Sequence, residues 1–552
     1  MSTARVKRET KRQMGQFLTP LPIARAIVSK LDIDPNDIVL EPSFGRGAFI
    51  YAYLERIKEE GVDIKSWATD HLCGCELDEK LFDAFSFGWS YGNVPPHIVC
   101  GDFFRYEMPS FNRKEYFSRL RESVDLVIGN PPFGGTIDGE IQDELDSIFG
   151  VRDGNKIKKE TYSFFIMKCL DMLRTNGRLV FICSDTLLSI ATMSGLRRYL
   201  TRTCAVSIEH LPGDFVETQQ PMVVIQLQKG GSGVVVFGEE KPIEYIERTP
   251  NFSWMINACY AKYFSGHTLG EKMIATSGMT VGKNEFFLRK IVGGKIEEKY
   301  DFEIKQRPIS LAREFERARL GKISEKKRLS ILQAEREGKT EPFLEVVPRS
   351  TPKTFAFPHP DYAPYNKATN ALVFAPPKWA VFWRGDGAYL YAYKKAGPWY
   401  LHGVGGKPFF KREGITWQLI SSHLNMRYLP AGYILDSGAP CAFLREGIEH
   451  DELYFIMGWC LTRLCNLILK NVINHTRNIQ SKDFERLPYP IWVSMEKRKH
   501  VIEKIKTMVE MGMKGCSFDY KSKELSDLDK FFAFDSGGGK KKAIKQGQFL
   551  FK

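Results

Sequence analysis

The first 230 residues alternate between short apolar runs and helical segments, and this alternation constrains the fold more than any other feature. Apolar runs such as DIVLE (37–41) and VDLVIG (124–129) have the length of buried strands, whereas AFIYAYLERIKEE (48–60) has helical periodicity. Strands that alternate with helices form parallel sheets covered by those helices. We therefore predict an α/β fold built on a doubly wound parallel sheet.

The residue composition and the length of the apolar runs change near residue 245. Beyond a glycine-rich break at 230–233, the apolar runs shorten and aromatic, proline and glycine residues become dense, as in WRGDGAYLYAYKKAGPWY (383–400). Such punctuation is typical of short strands and turns. We predict one domain over residues 1–245 and a mixed α+β domain over 246–552, with a charged helical insertion at about 311–339.

The net charge of +13 is concentrated in the second part of the chain. Residues 1–230 carry 28 Lys and Arg against 31 Asp and Glu, whereas the remainder carries 51 against 35. This asymmetry favours a catalytic or ligand-binding part joined to a part that meets a polyanion, with nucleic acid as the first candidate. A basic surface that is merely well solvated is the alternative.

The sequence shows neither a secretory signal nor a membrane span, since no apolar run approaches the roughly 20 residues that a span needs. The eleven cysteines are scattered, and the closest pair, Cys73 and Cys75, lacks the spacing of a zinc site. We therefore expect an intracellular protein with reduced cysteines, no metal site and no membrane association.

Three consecutive strand ends carry residues suited to one nucleotide-like ligand. They are EPSFGRGAF (41–49), CELD (75–78) and GDFF (101–104). Ligands of open parallel sheets bind beyond the carboxyl ends of the strands, and glycines there let the backbone approach them. Acids at the later two ends suit a ribose and the amine of an adenine. Each motif alone is a weak signal, but three in succession are a strong one.

A fourth strand end, NPPF (130–133), stops an apolar strand with two prolines that cannot continue it. The prolines fix the backbone so that the Asn130 side chain and the Pro131 carbonyl can point the same way. Two converging acceptors suit an amino group with two N–H donors, and Phe133 offers a flat face to a planar ring. A purely structural turn is the alternative.

The order of these motifs resembles that of the gamma group of N6-adenine DNA methyltransferases of Type II restriction-modification systems. In this order GQFLTP (15–20) comes first and GDFVETQQPMVVIQL (213–227) follows NPPF. The resemblance implies a Rossmann-like, S-adenosyl-L-methionine-dependent catalytic domain over 1–245 and a target-recognition domain over 246–552. Two departures are visible: the tetrapeptide ends in Phe rather than the common Tyr, and Glu41 stands where Asp is frequent.

The resemblance also implies roles for individual residues. The cofactor-binding residues would be Thr19, Pro20, Glu41, Gly45, Gly47, Glu76, Asp102 and Phe103. The catalytic residues would be Asn130, Pro131, Pro132 and Phe133. Asn130 and Pro131 would accept the N6 hydrogens of the target adenine, and Phe133 and Phe215 would stack on its faces. The candidates for DNA contact in the basic part are Arg384, Arg427, His475, Arg477 and Lys482.

We therefore predict a site-specific enzyme that transfers a methyl group from S-adenosyl-L-methionine to a flipped-out adenine of double-stranded DNA in a bacterial or archaeal cytoplasm. A cognate restriction endonuclease encoded separately is a candidate partner. An RNA or protein-glutamine amino-methyltransferase with the same chemistry and a non-catalytic DNA-binding subunit are the competing hypotheses. A fused N-terminal nuclease is not expected, since only residues 1–14 precede the first motif.

Overall fold

A computed structural model of the chain describes residues 17–104, 124–132, 139–213, 221–281, 284–307, 343–396 and 404–534. These residues form two compact units. The first runs to Gly266 and takes in Asn471–His475, and the second comprises the rest of the chain. The division thus falls at Gly266, whereas the sequence suggested residue 245. The expected helical insertion at 311–339 lies outside the described residues.

A nine-stranded sheet forms the centre of the first unit. The strands of this unit are β1 (Val39–Glu41), β2 (Leu72–Glu76), β3 (Ile98–Cys100), β4 (Val124–Gly129), β5 (Val151–Arg152), β6 (Asn155–Lys156), β7 (Leu173–Ser184), β8 (Cys204–His210), β9 (Met222–Lys229), β10 (Val234–Val236) and β11 (Glu239–Glu240). Strands β5 and β6 form a separate two-stranded sheet, and the large sheet has the order β11-β10-β8-β9-β7-β4-β1-β2-β3.

The half of the sheet from β3 to β7 is parallel, while β9 runs antiparallel to both β7 and β8. The chain adds β2 and β3 on one side of β1 and then crosses to place β4 on the other. The strand order therefore reverses between β1 and β4, which is where open α/β sheets bind their ligands. The predicted α/β architecture with a parallel core is confirmed.

Helices connect these strands. They are α1 (Leu21–Val28), α2 (Ala48–Glu59), α3 (Ile64–His71), α4 (Glu79–Gly88), α5 (Gly139–Phe149), α6 (Thr161–Met172), α7 (Ser194–Thr203), α8 (Ile243–Arg248) and α9 (Ala258–Ala261). Helix α1 starts after Pro20, whose fixed φ suits a helix start, and it buries apolar residues at positions 23, 24, 27 and 28. Asp63 and Asp78 cap α3 and α4 by accepting from backbone N–H groups.

The described residues of the second unit form two smaller sheets. Their strands are β12 (Met273–Thr276), β13 (Leu288–Val292), β14 (Lys295–Arg307), β15 (Phe343–Ala356), β16 (Tyr362–Asn366), β17 (Trp379–Phe382), β18 (Gly414–Thr416), β19 (Arg427–Leu429), β20 (Ile434–Leu435) and β21 (Cys441–Leu444). One sheet has the order β12-β21-β18-β19 and the other the order β15-β14-β13-β17-β16-β20.

The helices of the second unit complete its mixed α and β composition. They are α10 (Asn284–Phe287), α11 (Arg384–Ala396), α12 (Asp451–Leu461), α13 (Arg463–Ile468), α14 (Ser481–Glu485), α15 (Met495–Met513), α16 (Lys523–Ser526) and α17 (Leu528–Phe532). Among the described helices no single one has the length and apolarity to cross a membrane, although the bent pair Asp451–Leu461 and Arg463–Ile473 would have both together.

Arg197 on α7 stabilises the first unit from its interior. Its side chain is fully buried, and burial lowers the pKa of its guanidinium to about 9, so it remains charged at neutral pH. The guanidinium donates to several backbone carbonyls, including those of Leu187 at 2.6 Å, Phe252 at 2.7 Å and Ile190 at 3.0 Å. A single cation thus satisfies carbonyls from segments that are distant in sequence.

We expect Arg197→Met to lower the free energy of unfolding by about 3–5 kcal/mol, because it leaves buried carbonyls without donors. The control is Arg198→Met, which removes a half-buried guanidinium that lies 4.4 Å from the Phe252 ring centroid and should cost about 1 kcal/mol. Urea unfolding at neutral pH measures both. Equal losses for the two variants would contradict the role given to Arg197.

Candidate active site

The four strand ends singled out in the sequence lie side by side along one edge of the sheet. The strand order places β3, β2, β1 and β4 next to one another, and all four run in the same direction. Asp102 follows β3, Glu76 ends β2, Glu41 ends β1 and Asn130 follows β4. The fold therefore brings together three acids and one amide from residues that span 90 positions of the chain.

The Asn130 side chain is held in one orientation. Its amide nitrogen donates to the Phe17 carbonyl at 2.8 Å and to the Thr19 hydroxyl at 3.1 Å. A backbone carbonyl can only accept, so the NH₂ group must face Phe17 and the oxygen Oδ1 must face away from it. This Oδ1 atom is buried and finds no hydrogen-bond donor among the described residues. A buried acceptor without a donor is costly, so this oxygen is a candidate contact for a ligand.

The glycine-rich loop after β1 is shaped by two residues in the left-handed region, Gly45 with φ +58° and Gly47 with φ +77°. The Gly45 amide donates to one Glu76 carboxylate oxygen at 2.7 Å, and the Asp78 amide donates to the other at 2.9 Å. Both oxygens are thus oriented by the backbone, and each keeps a lone pair that can accept from a ligand.

Glu41 and Glu76 are neighbouring buried acids, and the folded state disfavours their ionised forms. Burial raises the pKa of Glu41 well above its ordinary value, and the neighbouring Glu76 carboxylate raises it further, although the Ile50 amide donates to Glu41. Burial also raises the pKa of Glu76, against the effect of its backbone donors. A cationic or hydroxyl-bearing ligand would stabilise these ionised carboxylates.

Asp102 and Phe103 are placed differently from each other. Asp102 is partly exposed, and its carboxylate accepts from the Phe104 amide at 2.9 Å. The Phe103 side chain is only 3% exposed, because one face of its ring stacks on Phe165 and the Lys168 ammonium lies 4.5 Å from its centroid. The Phe103 ring therefore helps to form the wall behind this edge, and its contact with an adenine remains a prediction.

The remaining predicted residues of the site divide between described and undescribed segments. Pro131 is buried and Pro132 is half-buried at the end of β4, and Pro20 precedes α1 close to Thr19. The two predicted stacking residues, Phe133 and Phe215, lie outside the described residues. Their role as stacking partners remains a prediction.

Sequence reasoning missed three contributors. The Phe17 carbonyl anchors Asn130, and the Ser43 hydroxyl lies 3.5 Å from the Asn130 carbonyl. Leu77, directly after Glu76, is 65% exposed and offers an apolar face beside the acids. A contact through a backbone carbonyl cannot be predicted from the residue type. The apolar Leu77 between the two acids of CELD, in contrast, could have been identified from the sequence.

The five candidates for DNA contact have different environments. Arg384 pairs with Asp361 at 2.6 Å, and Lys482 pairs with Glu485. Arg477 is exposed. Arg427 is 2% exposed within the second unit. His475 is half-buried and belongs to the first unit.

His475 is held by two polar contacts inside the first unit. Its Nδ1 lies 2.8 Å from the Ser189 hydroxyl, and its Nε2 lies 3.0 Å from the Asp185 carboxylate. These contacts attach the segment Asn471–His475 to the residues that follow β7. The structure thus gives His475 a local positioning role, and contact with DNA remains a prediction for all five residues.

We expect Gly47→Ala to lower the free energy of unfolding by about 1–3 kcal/mol more than Gly61→Ala. Both glycines have nearly the same positive φ, +77° and +78°, so both substitutions carry the same backbone strain. A Cβ at position 47 would lie 2.5 Å from the buried Phe85 ring, whereas nothing lies within 4 Å at position 61. Urea unfolding compares the two, and equal costs would show that the loop can yield.

We expect Glu41→Gln to raise stability at neutral pH by on the order of 1 kcal/mol. Because the folded state raises the pKa of Glu41, its contribution to stability is complete below the unfolded-state pKa and is lost as the pH rises through the folded-state pKa. The gain of the variant over the wild type should therefore grow from about pH 4.5 towards neutrality.

The control for this variant is Glu55→Gln on α2. Arg25 pairs with Glu55 at 2.6 Å and lowers its pKa, so its substitution should change stability by at most about 1 kcal/mol and with the opposite sign. Thermal unfolding at several pH values measures both variants. A Glu41→Gln protein less stable than the wild type at neutral pH would contradict the charge state assigned to this pair.

Comparison with known proteins identifies relatives of the first part of the chain. Residues 4–253 match the N-6 DNA Methylase family. The Type II methyltransferase M.TthHB8I of Thermus thermophilus is 28% identical over 236 residues, which are 41% of this chain and 47% of the relative. The Type I restriction enzyme EcoEI methylase subunit of Escherichia coli is 22% identical over 268 residues, which are 44% of this chain and 51% of the relative. The chain spans about half the length of these two relatives.

Solved structures share the fold over most of the chain. A nuclease-deletion mutant of the Type ISP restriction-modification enzyme LlaGI in complex with a DNA substrate mimic has a TM-score of 0.58 at 14% identity, with coverage of 90% of this chain and 47% of that one. The DrdV–DNA complex has a TM-score of 0.56 at 12% identity, with coverage of 94% and 61%. Residues 4–253 of this chain are thus similar to N-6 DNA methylases, and the solved structures support the fold alone.

Proposed function

We propose that this protein is a site-specific DNA adenine-N6 methyltransferase of the gamma group, which methylates a flipped-out adenine in duplex DNA. The observation that carries the proposal is the buried Asn130 Oδ1, which has no donor among the described residues and is fixed by the contacts of its amide nitrogen with Phe17 and Thr19. An amino group placed there would donate the missing hydrogen bond. The match of residues 4–253 to N-6 DNA methylases supports the same reaction.

The chemistry requires an acceptor rather than a base. The lone pair of an adenine N6 is delocalised into the ring, so the amine is a weak nucleophile. Asn130 Oδ1 and the Pro131 carbonyl would accept its two hydrogens and favour a more tetrahedral nitrogen as positive charge grows on it. This stabilises the transition state more than the bound substrate. The proton then leaves after methyl transfer, because Asn130 cannot itself take it up.

The residues of the neighbouring strand ends fit S-adenosyl-L-methionine, which supplies an electrophilic methyl group on a sulfonium. Glu76, oriented by the Gly45 and Asp78 amides, would accept from ribose hydroxyls, and Asp102 would accept from the adenine amine. The exposed Leu77 would cover a face of that adenine. A cationic ligand would also offset the cost of ionised Glu41, whose pKa burial raises. The fit thus rests on charge as well as on hydrogen-bond capacity.

The DNA would have to present its target base outside the helical stack. Extrusion of a base costs a few kcal/mol, which Phe133 and Phe215 would partly return by stacking. The second unit would supply affinity through its excess of Lys and Arg. Among the resemblances, those to Type II methyltransferases favour an enzyme that protects sites from a separately encoded restriction endonuclease.

We expect Asn130→Ala to lower the rate of methyl transfer to DNA at least about 100-fold, because it removes a fixed acceptor from the transition state. The measurement is incorporation of label from methyl-labelled S-adenosyl-L-methionine into unmethylated bacterial DNA, followed by detection of N6-methyladenine. The control is Asn36→Ala, the same substitution at an exposed residue in the turn before β1, which should keep the wild-type rate.

Two results would contradict the proposal. One is wild-type turnover by the Asn130→Ala protein. The other is incorporation of label into RNA or protein and not into DNA, which would favour the competing amino-methyltransferases.

A further inference from the structure

A pocket with a cavity volume of about 60 Å³ lies within the second unit, whereas the strand ends that carry the proposed active site belong to the first. Residues of β16, β17, β18 and β19 line it, together with the loop 367–378. The described residues of its lining include three cations, Lys367, Lys378 and Arg427, and no Asp or Glu. A lining with three cations and no acid favours anions, although Asp436, which accepts from the Tyr365 hydroxyl, interacts electrostatically with Lys367.

Arg427 is the buried cation of this pocket. Its side chain is 2% exposed, its Nη1 donates to the Thr369 carbonyl at 2.6 Å, and its Nη2 is buried with no hydrogen-bond partner among the described residues. Burial lowers the pKa of Arg427 to about 10, which leaves the guanidinium charged at neutral pH. A buried charged donor without an acceptor is strongly unfavourable unless a ligand supplies one.

Aromatic groups stand beside the cations. Trp379, Tyr428 and Tyr433 also line the pocket, and the Lys367 ammonium lies 5.0 Å from the centroid of the Trp379 ring. An anion that also carries a planar ring would use both kinds of group, because the ring could stack on these side chains while its charge meets the lysines. A nucleotide has this chemistry, whereas a simple carboxylate lacks the ring.

We propose that this pocket binds the phosphate group of a nucleotide, with Arg427 Nη2 and the two lysines as its donors. An arginine suits phosphate because its N–H groups form charge-assisted hydrogen bonds of matching geometry. The phosphate has two possible sources, the backbone of bound DNA or a free nucleotide. The DNA source rests on the proposed function, whereas binding of a free nucleotide does not.

The first experiment titrates the full chain calorimetrically with thymidine 5′-monophosphate and with thymidine. The thymine base avoids the residues proposed for adenine, and thymidine lacks the phosphate. We expect the monophosphate to bind more tightly than thymidine. Both Arg427→Met and Lys378→Gln should weaken that binding about 10-fold or more, because each removes a charge-assisted contact. The matched control Lys499→Gln, on the exposed face of α15, should leave it unchanged.

The second experiment measures affinity for a duplex as a function of salt concentration. If the phosphate belongs to DNA, each variant should reduce the slope of log affinity against log salt by about 0.9. If the slope is unchanged while monophosphate binding is lost, the pocket serves a free nucleotide. Lys378 is exposed, so its variant tests the pocket even if the Arg427→Met protein does not fold.

The proposal would be overturned if the wild type binds the monophosphate no better than thymidine while the variants leave the salt slope unchanged. It would also be overturned if the folded Arg427→Met and Lys378→Gln variants bind both the monophosphate and the duplex with wild-type affinity. Methyl transfer to DNA by the wild type is measured in parallel. If the wild type binds the monophosphate but does not methylate DNA, the proposed function is refuted and the proposal for the pocket is not.

Discussion

The hydrogen bonds of the Asn130 amide nitrogen are the interaction on which the proposed active site depends. Because the Phe17 carbonyl can only accept, the amide has one permitted orientation, and its buried oxygen finds no donor in the part of the chain that the structure describes. In the proposed reaction the acceptor would be in position before the substrate binds, so no reorganisation would be needed. The arrangement also makes the site depend on a segment more than 100 positions earlier in the chain.

The acids at the neighbouring strand ends lower the stability of the fold when they are ionised, although the proposed function uses them. Glu41 is fully buried beside Glu76, so the folded state resists its ionisation. The chain compensates only in part, through backbone donors at Ile50, Gly45 and Asp78. Elsewhere in the same unit the buried charge of Arg197 is fully engaged by carbonyls. The contrast supports the proposal that the partly compensated acids serve a ligand rather than the fold.

The strand ends could be predicted from sequence because each has a local signature: an acid after an apolar run, glycines that turn, or two prolines that stop a strand. Their order then placed them on adjacent strands of a parallel sheet, as β3, β2, β1 and β4 confirm. Contacts made by the backbone could not be predicted, since Phe17 acts through its carbonyl and not through its ring. Contacts between segments that are distant in sequence could not be predicted either, such as the contact of His475 with Asp185 across 290 positions.

The excess of positive charge in the second part of the chain does not by itself locate a surface for a polyanion. Arg384 and Lys482 looked suitable by residue type, yet Asp361 and Glu485 lie against them and offset their charge. A cation contributes most to anion binding where no carboxylate competes for it and where water is excluded. Arg427 meets both conditions, because it is buried in a pocket whose described lining has no acid. The absence of a local counter-charge, and not the count of basic residues, therefore distinguishes a candidate binding residue from an ordinary surface charge.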